Sequence, residues 1–259
     1  LVDEGVLDKI TAECGVGAED FVIEIGPGAG ALTNRLAQAA RRVAAIELDE
    51  RFVRILRKNT WENVEIIHGD IMKFDLEGLV ARQLNECPQT SRAFIIANLP
   101  YYITTPIIAR VLESELPIYS MTVMVQREVA HRIAATGGNK DYGAFSVLCQ
   151  YYSRPKIICE AAAACFFPKP KVDSSVVRMD ILDSPSVDAP RDAFFCLVRA
   201  GFAQRRKTFV NSASNVLKIK KDIICQALID IGKSENIRAE QLSPGDFSKL
   251  AKLIDLKKA

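Results

Sequence analysis

The sequence is poor in the residues that metal and disulfide chemistry draw on. Only two histidines, His68 and His131, occur among 259 residues, and the seven cysteines are scattered without a C-x-x-C pair. That pattern excludes a zinc site and a disulfide framework, and no metal is expected. Most of the cysteines sit in apolar stretches such as Val147-Leu-Cys-Gln and Ile157-Ile-Cys, where a thiol is a small hydrophobe. A reducing, cytoplasmic setting is expected. No apolar run approaches the roughly 18 to 20 residues of a membrane helix, so no membrane partner is expected. The opening residues Leu-Val-Asp-Glu-Gly lack the basic start and apolar stretch of a signal peptide, and an initiator Met is missing, which leads us to expect an absent upstream segment. An excess of one charge is lacking too, since 34 basic and 32 acidic residues leave +2. A uniformly basic nucleic-acid binder is thereby disfavoured.

What is present is a chain of intermediate length, with 49% hydrophobic and 25% charged residues, in the range of ordinary globular proteins. Disordered chains and disulfide mini-scaffolds are excluded. The near-neutral charge hides a polarised chain. Residues 1–190 carry 20 basic and 25 acidic side chains, whereas residues 191–259 carry 14 and 7, a net of +7. The C-terminal part is therefore the candidate for meeting phosphates.

Short β-branched runs at Phe21–Ile25, Val43–Glu47, Val64–Ile67, Ala93–Ala97 and Tyr119–Val125 alternate with amphipathic segments. This rhythm predicts a parallel sheet, and nearly continuous apolar strands such as Phe94-Ile-Ile-Ala predict helices on both faces, a doubly wound α/β fold. A helix is predicted from Gly143 to Tyr152, then strands at Pro155–Ala161 and Ser175–Leu182 that could close the sheet as a hairpin. The polar stretch Asp183-Ser-Pro-Ser-Val-Asp-Ala-Pro190 has linker composition. Beyond it, Phe194–Phe202, Phe209–Leu217, Asp222–Ile231 and Phe247–Leu256 have helical periodicity, with Ser243-Pro-Gly-Asp as a capping turn. The expected division is 1–184 as an α/β catalytic domain and 185–259 as a small all-α domain.

The sharpest local signal is Phe21-Val-Ile-Glu-Ile-Gly-Pro-Gly-Ala-Gly30, a strand entering a glycine turn that opens a helix. Gly26-x-Gly28-x-x-Ala31 fits a nucleotide-binding fingerprint, although a turn that only joins strand to helix is the competing reading. Glu47 ends the second strand about 20 residues on, where a carboxylate accepts both ribose hydroxyls. Glu24, two residues before Gly26, would repel a pyrophosphate and suits an ammonium or sulfonium, so S-adenosyl-L-methionine fits better than a nicotinamide dinucleotide. Asp70 closes the third strand, where it and a following backbone N–H can meet an adenine; a turn former is the alternative. The fourth strand ends in Ala97-Asn98-Leu99-Pro100-Tyr101-Tyr102. An aromatic exocyclic amine is a poor nucleophile because its lone pair is delocalised. The Asn98 side-chain oxygen and a backbone carbonyl of Leu99-Pro100 could accept its two N–H bonds and favour a pyramidal nitrogen, while Tyr101 stacks on the base. The competing reading is an Asn-x-Pro turn with two core tyrosines.

These residues, with Ile-Glu-Leu-Asp (46–49), Gly-Asp-Ile (69–71), Gln126-Arg-Glu-Val, Asp141-Tyr-Gly, Phe166-Phe-Pro-Lys-Pro-Lys-Val-Asp-Ser-Ser-Val-Val-Arg178 and Phe202-Ala-Gln-Arg-Arg-Lys-Thr208, form an ordered set. In that set the chain resembles the KsgA-type small-subunit ribosomal RNA adenine dimethyltransferases almost end to end. The resemblance implies a Rossmann-like class I methyltransferase sheet with a C-terminal all-α domain. It implies transfer of methyl groups from S-adenosyl-L-methionine, leaving S-adenosyl-L-homocysteine, to N6 of two adjacent adenosines in the 3′-terminal hairpin loop of small-subunit RNA. The implied partner is that RNA within an assembling small ribosomal subunit, met by a monomer. Gly26 and Gly28 would line the methionine end of the cofactor, Glu47 would hold the ribose, and Asp70 with Ile71 would read the adenine. Asn98, Leu99, Pro100 and Tyr101 would form the catalytic turn, with Asn98 also at the cofactor. Phe166 would be a second aromatic wall against the flipped base, whereas Phe167, beside an Ala run, reads equally as a core aromatic. Leu1 would be the last residue of a Gln-Asn-Phe-Leu stretch that folds over the cofactor in the family; the rest of that stretch and a basic arm are not in the sequence. Lys169 and Lys171 at the rim, and Arg205, Arg206 and Lys207 in the tail, are the candidate phosphate contacts, followed by Lys218, Lys220, Lys221, Lys257 and Lys258; a solvated face is the competing reading. Two other functions stay open: a large-subunit RNA adenine methyltransferase of the antibiotic-resistance type, and a non-catalytic RNA-binding assembly or transcription factor on the same fold.

Overall fold

The computed structural model describes residues 1–86, 90, 92–114 and 116–254. Cys87, Lys257 and Lys258 lie outside the described residues. The chain divides into two compact units, Leu1–His131 with Arg154–Ile181, and Arg132–Ser153 with Leu182–Ala259.

The first unit contains α1 (Glu4–Glu13), β1 (Phe21–Ile25), α2 (Ala31–Ala39), β2 (Arg42–Glu47), α3 (Glu50–Leu56), β3 (Val64–His68), α4 (Leu76–Glu86), β4 (Ala93–Asn98), α5 (Thr104–Glu113) and β5 (Ser120–Gln126). Helix α6 (Arg127–Ala134) leads out of it and α7 (Ala144–Tyr152) leads back into β6 (Ser153–Ala161) and β7 (Ser174–Ile181). The strands form one sheet in the order β3-β2-β1-β4-β5-β7-β6. The pairs among β1 to β5 are parallel and β7 runs antiparallel to β5. All five residues of β1 are buried, as a strand covered on both faces requires. One face packs Val22, Phe94, Ile96, Met124 and Val176 against Leu7 and Ile10 of α1 and Leu32 and Leu36 of α2. The predicted α/β architecture is thus observed. Its strand order reverses between β1 and β4, so their carboxyl ends flank the crevice where open α/β sheets bind ligands.

The second unit is helical: α7, α8 (Arg191–Phe202), α9 (Phe209–Leu217), α10 (Lys221–Asp230) and α11 (Pro244–Leu253). Its core joins Tyr142, Val147 and Tyr151 to Phe194, Phe195, Phe209 and Phe247. Ser243 caps α11 in a capping box with Asp246, with Pro244 in the first turn, as the sequence predicted. The unit also takes in Arg132–Ser153, which a single cut between 184 and 185 assigns to the α/β part. The physical reason is that the apolar face of α7 packs with residues some fifty positions downstream, a partnership that a linear reading does not display.

The turn after β1 depends on its glycines. Gly30, the N-cap of α2, has φ +90°, and a Cβ there would lie 2.9 Å from Leu56 Cδ2 and 3.1 Å from Trp61. Both the left-handed backbone and the contact penalise any side chain. Gly30→Ala is therefore expected to lower the unfolding free energy by about 2 kcal/mol, read from the midpoint of urea denaturation; unchanged stability would contradict the close packing.

Candidate active site

At the carboxyl ends of β1 to β4 lies a cavity of about 370 Å³ lined by Ile25, Gly26, Ile46, Glu47, Leu48, Asp49, Gly69, Asp70, Ile71, Pro100, Tyr102, Ile103 and Ile107. Its size falls in the range of small-molecule sites. Glu47 organises the floor: Oε2 accepts from the Gly28 N–H at 3.0 Å and Oε1 from the Asp49 N–H at 2.9 Å. One carboxylate thus fixes both the glycine turn and the start of α3, and each oxygen keeps a lone pair for a ligand. Asp70 Oδ1 accepts from Met72 N–H at 2.9 Å, and its carbonyl accepts from Lys73 and Phe74 N–H. It is therefore a turn former, as the competing reading held. That leaves Asp70 Oδ2 and the Ile71 N–H without a hydrogen-bond partner among the described residues. Glu47 and Asp70, with Asp49 ion-paired to Arg51, and a wall of isoleucines make a site suited to a cationic nucleoside. That donor and acceptor set fits S-adenosyl-L-methionine.

Of the residues expected at the cofactor, Gly26, Glu47, Asp70 and Ile71 line this cavity, and Gly28 joins it through Glu47. Gly26 has φ +68°, and a Cβ on it would come 3.7 Å from the Asn98 carbonyl oxygen, so the glycine turn and the Asn98 turn abut. The Asn98 turn is held at several points. Leu99 is buried and its N–H donates to the Met124 carbonyl at 3.2 Å. The Pro100 carbonyl accepts from the Ile103 N–H and the Thr104 hydroxyl, both at 3.1 Å. Pro100 is thus taken, and the Leu99 carbonyl is the one left to accept from a substrate amine. The Tyr101 hydroxyl pairs with Ser174 Oγ at 2.7 Å. Thr104 and Ser174 escaped the sequence reading because hydroxyls carry no local pattern.

Tyr102 is 82% exposed and lines the cavity, which corrects the alternative of two core tyrosines. Phe167 is 85% exposed, which corrects its reading as a core aromatic: the Phe-x-Pro-x-Pro segment runs along the surface. Phe166 is half-buried and packs with Leu1 against the apolar cluster under the sheet; the Val2 N–H donates to the Cys165 carbonyl at 2.8 Å. Leu1 and Asn98 are not among the cavity-lining residues. Lys169 and Lys171 are exposed, and Lys171 lines a second cavity of about 360 Å³ with Gln126, Arg127, Glu128, Val172 and Asp173. In the helical unit Arg205, Arg206 and Lys207 are exposed on the turn between α8 and α9, and Arg205 donates to the Lys140 carbonyl at 3.0 Å. Among the described residues no group of three His, Cys, Asp or Glu side chains is placed to hold a metal ion, and no helix is long and apolar enough to cross a membrane.

Glu24 sits differently from the expectation of direct contact with a cation. It is 1% exposed, is absent from the cavity lining, and its Oε2 has no hydrogen-bond partner. Burial pushes its pKa from 4.5 up to about 8. A raised carboxylate value means that the unfolded chain ionises first, so stability falls as pH rises from about 4.5 to about 8 and changes no further above that. Glu24→Gln should therefore unfold at a higher temperature than the parent at pH 8, with the difference closing towards pH 4.5. A pH-independent difference in thermal midpoint would refute a buried, neutral Glu24.

The ribosomal RNA adenine dimethylase family matches residues 1–256. A ribosomal RNA small subunit methyltransferase A from Alkaliphilus oremlandii is 42% identical over 255 residues, 97% of this chain and 88% of that protein. The protein of the same name from Geobacillus thermodenitrificans is 42% identical over 257 residues, 97% and 87% of the two chains. Among solved structures, a dimethyladenosine transferase from Plasmodium falciparum superposes with a TM-score of 0.81 at 26% identity, covering 96% of this chain and 95% of that one. The 23S rRNA methyltransferase ErmE shares the fold, with a TM-score of 0.73 at 23% identity over 98% and 99% of the chains. With a family match across nearly all of its residues and relatives this similar over almost its whole length, the chain belongs to the ribosomal RNA adenine dimethylases.

Proposed function

We propose that this protein dimethylates N6 of two adjacent adenosines in the 3′-terminal hairpin loop of small-subunit ribosomal RNA, acting without a metal, as a monomer, on assembling small subunits in the cytoplasm. The observation that carries this reading is the Asn98 turn, with Pro100 satisfied internally, the Leu99 carbonyl left open, and the Asn98 carbonyl beside Gly26 of the cofactor cleft. Bound S-adenosyl-L-methionine supplies an electrophilic sulfonium methyl group and yields S-adenosyl-L-homocysteine.

The residues of the chain do the positioning. The free lone pairs of Glu47 take the ribose hydroxyls, while Asp70 Oδ2 and the Ile71 N–H take the adenine edge. In the first transfer Asn98 and the Leu99 carbonyl accept the two N–H bonds of the target amine and turn its lone pair towards the cleft; in the second, one of the two accepts the single N–H that remains. Tyr101, fixed through Ser174, stacks on the extruded base with Phe166 as the second wall. Orientation and release of the lone pair carry the chemistry: as the N–C bond forms and the C–S bond breaks the nitrogen becomes cationic and strongly acidic, so its proton passes to water and no side chain has to take it. The basic residues Lys169, Lys171, Arg205, Arg206 and Lys207 hold phosphates, which gives affinity and register with little base readout.

The direct test is transfer of labelled methyl from S-adenosyl-L-methionine to unmethylated small subunits, followed by digestion; dimethyladenosine in small-subunit RNA is the expected product. Label in large-subunit RNA instead would assign the other branch of the fold. In the same assay Asn98→Ala should lose turnover by at least about a hundredfold while cofactor binding persists; full turnover would sink the mechanism. Arg205→Ala combined with Arg206→Ala should weaken subunit binding and reduce the slope of log affinity against log salt by about 1 to 2. An unchanged slope would return the two arginines to the solvated surface.

A further inference from the structure

We propose that Arg110 is a positioning residue for base recognition, holding the Asp70–Phe74 turn in the shape that aims Asp70 Oδ2 and the Ile71 N–H at the adenine. The inference rests on the reading above that these two groups take the adenine edge, and it adds how they come to be aimed. From α5, the Arg110 guanidinium donates through one nitrogen to the Ile71 carbonyl and through the other to the Phe74 carbonyl at 2.6 Å. Those are carbonyls that Asp70 cannot serve, because its oxygens only accept; they take the N–H groups of Met72, Lys73 and Phe74. Asp70 grips the donors of the turn and Arg110 grips its acceptors. The Ile71 carbonyl shares its peptide plane with the Met72 N–H, which donates to Asp70 Oδ1, so pinning that carbonyl fixes the donor that orients the Asp70 carboxylate. The Ile71 N–H lies in the plane of the Asp70 carbonyl, held in turn by the Lys73 and Phe74 N–H groups.

The placement of Arg110 along its helix gives the contact a second meaning. Ile103 precedes α5, and Ile103, Ile107 and Arg110 recur at spacings of four and three, which puts them on one helical face. The first two line the cofactor cavity. The helix also begins at the catalytic turn, where the Thr104 hydroxyl holds the Pro100 carbonyl. One rigid rod therefore carries the catalytic turn at its start, an apolar wall of the cleft along its side, and the clamp on the adenine-reading turn near its end. Among the described residues Arg110 forms no ion pair, so its charge is spent on two backbone carbonyls, and a charged donor makes those bonds the strong kind. Lysine has three donors on one compact nitrogen but lacks the planar fork whose separate nitrogens meet the two carbonyls.

The test separates aiming from mere stability by changing the ligand's base. Affinities for S-adenosyl-L-homocysteine and for S-inosyl-L-homocysteine, in which oxygen replaces the adenine amine, are measured by calorimetry on the parent protein, Arg110→Gln and Arg110→Lys. The parent should favour the amine-bearing ligand by about tenfold, Arg110→Gln should lose most of that preference, and Arg110→Lys should fall between them. In turnover the variants should raise the KM for S-adenosyl-L-methionine while leaving kcat at saturation within about twofold. A preference that survives in both variants, or an equal loss of affinity for both ligands, overturns the role of Arg110 and leaves that of Asp70 standing. A parent protein that does not distinguish the ligands overturns the adenine reading and this inference with it. If Arg110→Gln does not fold, the ratio in Arg110→Lys decides between the same outcomes.

Discussion

The two hydrogen bonds that Glu47 accepts from the backbone hold the site together. Parallel pairing of β1 with β2 brings Ile25 beside Ile46, so the chain leaves both strands at the same level. The Gly28 N–H and the Asp49 N–H then converge on one carboxylate that is 8% exposed. A charged acceptor makes each bond stronger than a neutral pair. Removing it would release two turns at once and leave two inward-facing donors unpaired. The same carboxylate retains lone pairs, so on the proposed reading the group that shapes the cleft would also take the ribose diol. Gly26 suits this arrangement through its backbone: at φ +68° a side chain would be strained, although the 3.7 Å from a Cβ to the Asn98 carbonyl oxygen is an ordinary contact.

Charge is distributed according to what each part must hold. Glu47, Asp49 and Asp70 line the cofactor cavity, and a negative pocket of this kind attracts a sulfonium cation and repels the phosphates of RNA. The catalytic turn, by contrast, is neutral. Its contacts run through Leu99, Pro100, Thr104, Tyr101 and Ser174, all backbone or hydroxyl groups. A neutral turn leaves the electron density of the target amine undisturbed except by the two acceptors aimed at it. Excess positive charge is placed in the helical unit, with Arg205, Arg206 and Lys207 exposed on the α8–α9 turn. The near-zero net charge of the chain is the sum of these opposed parts.

Much of this was legible in the sequence because it is local. The strand Phe21–Ile25 and the helix Phe209–Leu217 fall where periodicity placed them, and Ser243-Pro-Gly-Asp does cap a helix. Of the residues lining the cleft, Gly26, Glu47, Asp70 and Ile71 were found through motifs whose members are neighbours in the chain, whereas the wall given by Ile103 and Ile107 was not. What escaped was long-range. The hydroxyl of Ser174 reaches Tyr101 across 73 positions and Arg110 reaches Ile71 across 39, and no spacing rule connects them. Arg132–Ser153 packs with the helical unit through Tyr142, Val147 and Tyr151, whose apolar character is indistinguishable in sequence from that of a sheet-covering helix. The exposure of Phe167 was missed for the converse reason, since an aromatic beside an Ala run has the composition of a core but not its geometry.

The catalytic turn illustrates why the second half of such a site has to come from distant segments. A four-residue turn at the end of a strand has two free acceptors to offer a substrate only if its other polar groups are satisfied elsewhere. Here the Leu99 N–H is taken by Met124 of β5, the Pro100 carbonyl by the start of α5, and the Tyr101 hydroxyl by Ser174 of β7. Three different elements thus saturate the turn, and what remains open is the Asn98 amide and the Leu99 carbonyl. On the proposed reading the surrounding fold occupies the other hydrogen-bonding groups of the turn and leaves the Asn98 side-chain oxygen and the Leu99 carbonyl for an amine. Both would be used by the two N–H groups of adenosine, and one by the single N–H of the monomethylated intermediate.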